Sequence, residues 1–345
     1  MTAVTATSSA GNPDEAPDDR TRGLGGHATA KPDQEKTRVG LLGVGLMGSA
    51  MAHRLLDRGI TVVAWDRDSE HLRDLEGRGG KSVKGPAEVV SGAATVITML
   101  PTAAIVLDVV EPLLEDWPAG TVWLQMSSVG AAEADQLTQL AETHGITLVD
   151  APVSGSTHPA EDGQLTVLAS GPDSARAAVE PVFDALASRV LWVGEAGMGS
   201  RLKLAANHWM ISMVAALAES MHLCRAMGLD QQQFVALLDG GPLGGGYALQ
   251  KLDEMRRHEY PAGFPVRLAV KDLQLVREVE QSSRSTMPLL DVVLERFLAA
   301  SVALGDQDVA AIYELDGSDG PTAKVASPSA PAPTPTSSHS SQRAT

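Results

Sequence analysis

The sequence predicts an α/β protein with a doubly wound N-terminal domain, then a long interdomain helix, then an all-helical C-terminal domain. Up to about residue 197, short apolar runs of strand length alternate with stretches of helical periodicity. This alternation is the pattern of a parallel sheet covered by helices. From Ser200 to about Met227 the chain is rich in Ala, Leu and Met and contains no proline. The segments that follow, as far as Leu315, carry only helical periodicity.

The chain begins its folded part with a strand, a glycine-rich turn, a helix and a second strand. The strands are predicted at residues 38–42 and 60–65, and the turn between them has the spacing G-x-G-x-x-G. In such a unit the first glycine permits a tight turn, the second lets a pyrophosphate approach, and the third lets helix and strand pack closely. The helix start also offers free N–H groups to phosphates. We therefore predict a Rossmann-type dinucleotide site formed by Gly43, Val44, Gly45, Leu46, Met47 and Gly48.

Two residues after the second strand bear on the choice between NAD and NADP. Asp66 follows Gly43 by 23 positions, close to the separation that dinucleotide sites show. Its carboxylate can accept a hydrogen bond from a ribose 2′-hydroxyl and would repel a 2′-phosphate, which favours NAD. Arg67 keeps NADP open, because a guanidinium binds phosphate well, although a solvated turn residue is an equal alternative. The sequence predicts NAD or NADP, with a modest preference for NAD.

The remaining strands of the first domain place polar loops at one edge of the sheet. They are predicted at residues 94–100, 121–126, 146–150, 165–169 and 190–193. Ligands of doubly wound sheets bind beyond the carboxyl ends of the strands. We therefore expect the residues at these ends to line one crevice, namely 98–101, 127–128 and 150–155.

The long helix carries a polar pair, Lys203 and Asn207, four positions apart on one helix face. A lysine can exchange a proton with a substrate oxygen while an asparagine orients that oxygen. Spacing alone favours a solvated helix face instead. Further helices are predicted at residues 231–238, 248–257, 268–280, 288–304 and 308–315. The glycine-rich segment 239–246 is either a lid or a plain interhelix loop.

Composition excludes several classes of protein. The chain has 345 residues, with 27 Lys and Arg against 43 Asp and Glu, and a formal net charge of −16. This acidic excess argues against nucleic acid and anionic membranes as partners. Cys224 is the only cysteine, which excludes an internal disulfide and a cysteine-based zinc site. No metal is predicted, and a cytoplasmic location is expected.

The ends of the chain differ in composition from its middle. Residues 1–36 and 317–345 are dominated by Pro, Gly, Ser, Thr and Ala and are predicted to be disordered tails. Together the tails carry six basic and seven acidic side chains, so nearly all of the negative charge belongs to the core. The core is predicted to divide into a nucleotide-binding domain at 37–197 and an all-α substrate and oligomerisation domain at 198–316.

Four separated blocks of the core resemble one family. Residues 43–52 are similar to the motif G-L-G-x-M-G-x-x-M-A, and residues 150–155 to D-A-P-V-S-G. Residues 197–207 are similar to G-x-G-x-x-x-K-x-x-x-N, and residues 271–273 to K-D-L. These motifs, in this order, are typical of the β-hydroxyacid dehydrogenase family of the 6-phosphogluconate dehydrogenase superfamily. That family contains 3-hydroxyisobutyrate dehydrogenase, tartronate semialdehyde reductase and glyoxylate/succinic semialdehyde reductase.

The resemblance implies an NAD(P)-dependent enzyme that transfers a hydride between nicotinamide and a small 3-hydroxy acid or its carbonyl partner. It implies that Lys203 is the catalytic general acid/base and that Asn207 helps to hold the substrate. The segment implied to bind the substrate carboxylate contains Ser154, Gly155 and Ser156. The residues implied to face the cofactor outside the glycine turn are Met99, Leu100, Pro101, Ser128 and Lys271. A homodimer or homotetramer with a helical interface is also implied.

Departures from the family pattern leave the substrate open. The family often has a second glycine where this chain has Ser156, whose Cβ and hydroxyl would narrow or re-polarise the carboxylate pocket. Because the core is acidic, an anionic substrate also requires a local positive cluster, for which Lys203 and Lys271 are candidates. Two alternatives remain. NADPH-dependent imine reductases share the architecture but usually have Asp or Tyr in place of Lys203, and a non-catalytic nucleotide-binding scaffold can lose that lysine.

Overall fold

The computed structural model describes residues 38–315, so both predicted tails, at 1–36 and 317–345, lie outside the described residues. The main sheet consists of β1 (Arg38–Leu42), β2 (Thr61–Trp65), β3 (Lys81–Ser82), β4 (Thr95–Thr98), β5 (Val122–Gln125) and β6 (Leu148–Asp150). All six strands are parallel and lie in the order β3-β2-β1-β4-β5-β6. This is the strand order of a Rossmann domain. The order in which the chain adds strands to the sheet reverses between β1 and β4. The predicted fold class is confirmed.

Helices cover the two faces of this sheet, and five of them lie within residues 46–143. They are α1 (Leu46–Asp57), α2 (Ser69–Gly77), α3 (Pro86–Val90), α4 (Ala103–Val110) and α5 (Ala131–Thr143). Successive strand residues point to opposite faces. Leu41 accordingly packs in a cluster with α1 and α2, whereas Leu42 packs in another with α3, α4 and α5. Both faces of the sheet are therefore closed, and ligands have access only at the strand ends.

The strands predicted at 165–169 and 190–193 do not extend the main sheet, contrary to the expectation of one doubly wound sheet. They are β8 (Leu165–Ala169) and β9 (Ala187–Trp192), which form a separate three-stranded sheet with β7 (Val153–Ser154). The helix α6 (Thr157–Glu161) connects β7 to β8, and α7 (Arg176–Leu186) lies between β8 and β9. β7 pairs antiparallel with β8, and β8 pairs parallel with β9. Periodicity detects a strand but not its partner, and the two residues of β7 are too few to show alternation.

The remainder of the described chain is helical, as predicted. It contains α8 (Met198–Ala226), α9 (Gln231–Leu238), α10 (Gly246–Arg257), α11 (Val266–Ser282), α12 (Pro288–Leu304) and a 3-10 helix (Val309–Glu314). These helices bury a third apolar cluster of their own. A Cβ on Gly244 would lie 1.9 Å from the Leu238 carbonyl oxygen, so the chain folds back tightly after α9. The glycine-rich segment is therefore a tight interhelix turn.

All these elements belong to one compact unit, so the proposed domain boundary near residue 197 stays a prediction. Among residues 38–315, none of the helices combines the length and apolar character required to span a bilayer.

Candidate active site

The glycine turn between β1 and α1 has the geometry that dinucleotide binding requires. Gly43 adopts a φ of +102°, and its N–H donates to the Trp65 carbonyl oxygen at 3.0 Å. A Cβ on Gly48 would lie 2.1 Å from the Gly43 carbonyl oxygen, so α1 can pack here only without a side chain. A Cβ on Gly45 would meet no heavy atom within 4 Å. Open space above Gly45, at the start of a 12-residue helix, fits a pyrophosphate.

Asp66 lies beside the glycine turn, as predicted, but it also shapes that turn. Its Oδ2 accepts a hydrogen bond from the Val44 N–H at 2.7 Å, and its Oδ1 accepts one from the Asp68 N–H at 2.8 Å. A carboxylate offers about four acceptor sites, so capacity remains for a ribose hydroxyl. Arg67 is exposed and makes no hydrogen bond or ion pair with any described residue, which leaves it available to a phosphate.

The loop after β4 packs beside the glycine turn and is hydrogen-bonded to the loop after β5. The Met99 carbonyl oxygen lies 2.4 Å from the position a Cβ on Gly43 would occupy, so this loop packs directly on the glycine turn. The Leu100 N–H donates to Ser127 Oγ at 2.8 Å. Ser127 is buried and Ser128 is partly exposed. The structural hydrogen bond is thus made by Ser127, which leaves the Ser128 side chain available to a ligand.

The start of α8 is anchored to the end of β6 by a buried carboxylate. Asp150 Oδ2 accepts a hydrogen bond from the Ser200 N–H at 2.8 Å, and Asp150 Oδ1 accepts one from Ser200 Oγ at 2.7 Å. Burial raises the pKa of Asp150, against the opposing effect of these hydrogen bonds. A Cβ on Gly199 would lie 2.1 Å from the Leu168 carbonyl oxygen. The D-A-P-V-S-G and G-x-G blocks therefore fix the direction of α8, and with it the position of Lys203.

Lys203 lies one turn further along α8 and is the free amine of the site. Its side chain is partly buried, and it makes no hydrogen bond or ion pair with any described residue. Burial lowers the pKa of Lys203 to about 8; the negative charge of Asp272 opposes this effect and the positive charge of Lys271 adds to it. An amine with this pKa is populated in both protonation states near neutral pH, which acid/base chemistry requires.

Asn207 and Lys271 both contact the buried carboxylate of Asp272. Asn207 Nδ2 donates to Asp272 Oδ2, and both residues are buried. Lys271 Nζ donates to the Ser128 carbonyl oxygen at 2.7 Å and lies 3.0 Å from Asp272 Oδ1. The latter contact is an ion pair without hydrogen-bond geometry, so Oδ1 receives no hydrogen bond from a described residue. Asp272 thus joins α8 and α11, and Lys271 joins α11 to the loop after β5.

The predicted carboxylate-binding segment lies between β7 and α6. Gly155 has a φ of +130°, and a Cβ there would lie 2.8 Å from Leu165 Cδ2. Ser154 is exposed, whereas Ser156 is partly exposed and directly precedes α6. The Ser156 hydroxyl makes no hydrogen bond with any described residue. Within the described chain, no hydrogen bond joins this segment to Lys203.

The predicted residues therefore fall into three groups. The first consists of the glycine turn with its neighbours and contains Gly43, Val44, Gly45, Leu46, Met47, Gly48, Asp66, Arg67, Met99, Leu100 and Pro101. The second contains Lys203, Asn207, Lys271 and Ser128, and the third contains Ser154, Gly155 and Ser156. Leu46, Pro101 and Arg67 are exposed. The K-D-L block implies for Asp272 at most a role in fixing the region of Lys271, and the structure adds its hydrogen bond with Asn207.

Two known families of protein domains match nearly the whole described part of the chain. Residues 38–194 match the NAD binding domain of 6-phosphogluconate dehydrogenase, and residues 197–315 match the NAD-binding of NADP-dependent 3-hydroxyisobutyrate dehydrogenase. The chain is 34% identical over 280 residues to glyoxylate/succinic semialdehyde reductase 1 of Arabidopsis thaliana, which covers 80% of this chain and 97% of that protein. It is 30% identical to 3-sulfolactaldehyde reductase of Escherichia coli (strain K12), covering 83% of this chain and 98% of the relative.

A solved structure shows the same fold. Mycobacterium tuberculosis 3-hydroxyisobutyrate dehydrogenase with L-serine superposes with a TM-score of 0.75 at 25% identity, covering 81% of this chain and 98% of the other. The Rossmann sheet, its open glycine turn and the lysine-bearing helix define an NAD(P)-dependent oxidoreductase. With the sequence matches above, the chain belongs to the β-hydroxyacid dehydrogenase family.

Proposed function

We propose that the protein interconverts a small anionic 3-hydroxy acid and its carbonyl partner, of the hydroxyisobutyrate or semialdehyde type. The observation that carries the proposal is Lys203, an amine with a pKa of about 8 that makes no hydrogen bond or ion pair within residues 38–315 and is positioned by the anchored start of α8. The names of the Arabidopsis and E. coli relatives describe reductases of small aldehydes, which supports this substrate class.

In this proposal the chain supplies acid/base chemistry and orientation. When bound, the nicotinamide cofactor supplies or accepts the hydride. Lys203 Nζ donates a proton to the carbonyl oxygen during reduction and removes the hydroxyl proton during oxidation. Asn207 uses one amide hydrogen on Asp272 and keeps a second hydrogen and its oxygen for the substrate. Asp272 thereby orients the amide that holds the reacting oxygen next to Lys203.

The same proposal assigns the substrate's anionic group to the segment between β7 and α6. The exposed Ser154 hydroxyl and the backbone N–H groups around Gly155 are donors for a carboxylate. Lys203 and Lys271 provide local positive charge against the net charge of −16 of the chain. An anionic substrate is thus attracted only in the immediate vicinity of the site.

The catalytic role is tested with Lys203→Ala and with Lys84→Ala as the matched control, because Lys84 is an exposed lysine outside the site. Loss of general acid/base catalysis is expected to lower kcat by about 10²–10⁴-fold. The Kd for the reduced cofactor, measured by nucleotide fluorescence, should change by less than about threefold, since the glycine turn is untouched. Full turnover in Lys203→Ala contradicts the assignment.

The substrate class is tested with a panel assayed with NAD and with NADP at fixed pH. The panel contains 3-hydroxyisobutyrate, tartronate semialdehyde, succinic semialdehyde and a cyclic imine. Turnover of the imine alone would identify the imine reductase alternative, against which the presence of Lys203 already argues. Cofactor binding without any turnover would identify the scaffold alternative. We propose NAD as the preferred cofactor on the basis of Asp66. Arg67, which pairs with none of the residues that the structure describes, is the reason to include NADP.

The proposal includes a homodimer or homotetramer in the cytoplasm. Trp209 on α8 is 66% exposed. Trp209 is one of several exposed apolar side chains on α8 and α12, and a group of such side chains is typical of an association surface. The ion pair of Arg296 with Glu219 joins α12 to α8, so their exposed apolar residues lie on neighbouring helices. These residues are Met198, Leu202, Trp209, Leu223, Leu289, Val292, Leu298 and Val302.

A further inference from the structure

A buried network of hydrogen bonds lies where β4 and β5 end, directly before the loops that carry Leu100 and Ser128. Its centre is Gln125, the last residue of β5, which is 1% exposed. Gln125 pairs in register with Thr98 at the end of β4, and Thr98 Oγ1 donates to Gln125 Oε1 at 3.1 Å. Trp123 Nε1 in turn donates to Thr98 Oγ1 at 3.0 Å. All three side chains are buried, so these polar groups depend on one another.

The side-chain amide of Gln125 binds both backbone groups of Ser127. The Ser127 N–H donates to Gln125 Oε1 at 2.9 Å, and Gln125 Nε2 donates to the Ser127 carbonyl oxygen at 2.9 Å. A peptide N–H only donates and a carbonyl oxygen only accepts, so the side chain that satisfies both must offer a donor and an acceptor, as an amide does. The peptide groups before and after Ser127 are therefore fixed in orientation.

The hydroxyl of Ser127 extends this network to the loop after β4. Ser127 Oγ donates to the Thr98 carbonyl oxygen at 3.2 Å and accepts a hydrogen bond from the Leu100 N–H at 2.8 Å. Ser127 is itself fully buried, so its side chain is part of the framework and cannot reach a ligand. The amide of Gln125 thus supports both loops through one residue.

The residue after Ser127 connects the network to the helical part of the chain. The Ser128 carbonyl oxygen accepts a hydrogen bond from Lys271 Nζ at 2.7 Å. The charge of Lys271 contributes to the lowered pKa of Lys203. A chain of direct contacts therefore leads from Gln125 through Ser127 and Ser128 to Lys271, which acts on the amine of the site.

We propose that Gln125 is a positioning residue of the reaction, because it fixes the peptide groups around Ser127 and thereby holds the Ser128 carbonyl oxygen where Lys271 binds it. A side chain that is 1% exposed acts through Lys271 and not by contact with a ligand. Gln125 lies outside the four blocks that resemble the family. The inference rests on the proposed function, because it takes Lys203 as the acid/base of the reaction.

A double-mutant cycle tests whether Gln125 acts through Lys271. Gln125→Met removes the amide but keeps the length of the side chain, and it is made alone and in the Lys271→Met background. The kcat of the best panel substrate is measured with saturating cofactor. Alone, Gln125→Met is expected to lower kcat about tenfold, since displacing a positioned group by about 1 Å costs up to about 100-fold. In the Lys271→Met background the same substitution should change kcat by less than about twofold.

Trp123→Phe is the matched control for a purely structural role. It removes the hydrogen bond to Thr98 from the same network but leaves both bonds of Gln125 to Ser127. The urea midpoint of unfolding should fall in Trp123→Phe and in Gln125→Met, because each leaves buried polar groups unpaired. Only Gln125→Met should lower kcat. An equal loss of kcat in Trp123→Phe, or an equal effect of Gln125→Met with and without Lys271, overturns the proposal.

A second variant, Gln125→Glu, keeps the size of the side chain and is used if Gln125→Met does not fold. Its carboxylate can accept from Thr98 and from the Ser127 N–H but has no hydrogen for the Ser127 carbonyl oxygen. At about pH 9.5, above the range documented for the pKa of buried glutamates, the tenfold loss of kcat and its dependence on Lys271 are expected again. Full kcat in the folded variant at this pH overturns the proposal.

A labelling measurement keeps this inference distinct from the proposed function, because it requires no turnover. The rate at which acetic anhydride acetylates Lys271 is followed by peptide mass spectrometry, with the exposed Lys84 as the reference amine. Release of Lys271 from the Ser128 carbonyl oxygen should raise its rate about threefold or more in Gln125→Met, as expected for the loss of one hydrogen bond. The rate should be unchanged in Trp123→Phe.

The labelling and turnover results separate the two proposals. Faster labelling of Lys271 in Gln125→Met, without turnover of any panel substrate by the unmodified protein, refutes the proposed function and supports the positioning of Lys271. Turnover without faster labelling refutes the positioning alone. The absence of both turnover and faster labelling refutes both.

Discussion

Removing either charge beside Lys203 should move the pH dependence of turnover, and the two removals should move it in opposite directions. Lys203 has a pKa of about 8 in place of its ordinary 10.5, because burial and Lys271 disfavour the charged amine more than Asp272 favours it. This difference corresponds to about 3 kcal/mol, at about 1.4 kcal/mol for each pH unit. Lys271→Met removes the repelling charge and raises the pKa; Asp272→Asn removes the attracting charge and lowers it.

The role of the amine decides whether kcat/KM rises or falls with pH along each limb of the pH profile. Reduction requires protonated Lys203, so kcat/KM should fall as pH rises through about 8. Oxidation requires the neutral amine, so kcat/KM should fall as pH decreases through the same value. We expect Lys271→Met to move both limbs up by about one pH unit and Asp272→Asn to move both down by about one, as single charges near a partly buried group do.

The assay follows the nicotinamide absorbance from pH 6 to pH 10 in both directions with saturating cofactor. Asp272→Asn keeps an oxygen that can accept from Asn207, so the site geometry is largely preserved. Lys84→Met is the control for the loss of one positive charge and should leave both limbs in place. The reasoning is wrong if both site variants move the limbs in the same direction, or if neither moves them while turnover persists.

Three further predictions concern the glycine turn, the buried ion pair and the association surface. Gly45→Ala should change the free energy of unfolding by less than about 0.5 kcal/mol but raise the cofactor Kd at least about tenfold. Gly48→Ala should lower the free energy of unfolding by about 2 kcal/mol or more, because its Cβ would lie 2.1 Å from a backbone oxygen. Urea unfolding measures the stability of the two variants, and nucleotide fluorescence measures their cofactor affinity. Lys251→Met should lower the free energy of unfolding, measured in urea, by about 3–5 kcal/mol, because it leaves Asp308 buried beside Glu254 without its cation. Trp209→Glu should shift the protein to a smaller species in analytical ultracentrifugation, because it places a charge in an exposed apolar surface.

A specific result would contradict the prediction for the glycine turn, the buried ion pair or the association surface. Equal cofactor affinity in Gly45→Ala and the unmodified protein would mean that the open space above the turn is not used. A loss of less than about 1 kcal/mol in Lys251→Met would show that Asp308 does not depend on that cation. For the association surface, Lys84→Glu is the control, since it adds the same charge at an exposed position elsewhere. An unchanged sedimentation coefficient in Trp209→Glu would place the interface elsewhere.

Local patterns in the sequence predicted most of the elements. The unit from β1 to Asp66 and the bounds of α9 and α12 agree with the structure, because periodicity and glycine positions act over a few residues. The two-residue strand β7 and the separate second sheet were not predicted, since their pairing depends on residues far along the chain. The predicted helix at 308–315 is a 3-10 helix over Val309–Glu314, a distinction that apolar spacing in so short a segment cannot make.

The sequence by itself determined the order of elements, the glycine turn and the motif that carries Lys203, because each is a property of neighbouring residues. Only the tertiary structure decided what surrounds the amine. Asn207 and Asp272 are 65 positions apart and meet only because α8 packs against α11. Gly263 comes close to Ser156 because Asp308 holds the loop between α10 and α11 in which Gly263 lies. Burial and neighbouring charges set the pKa of Lys203, and both depend on three-dimensional packing that no local pattern encodes.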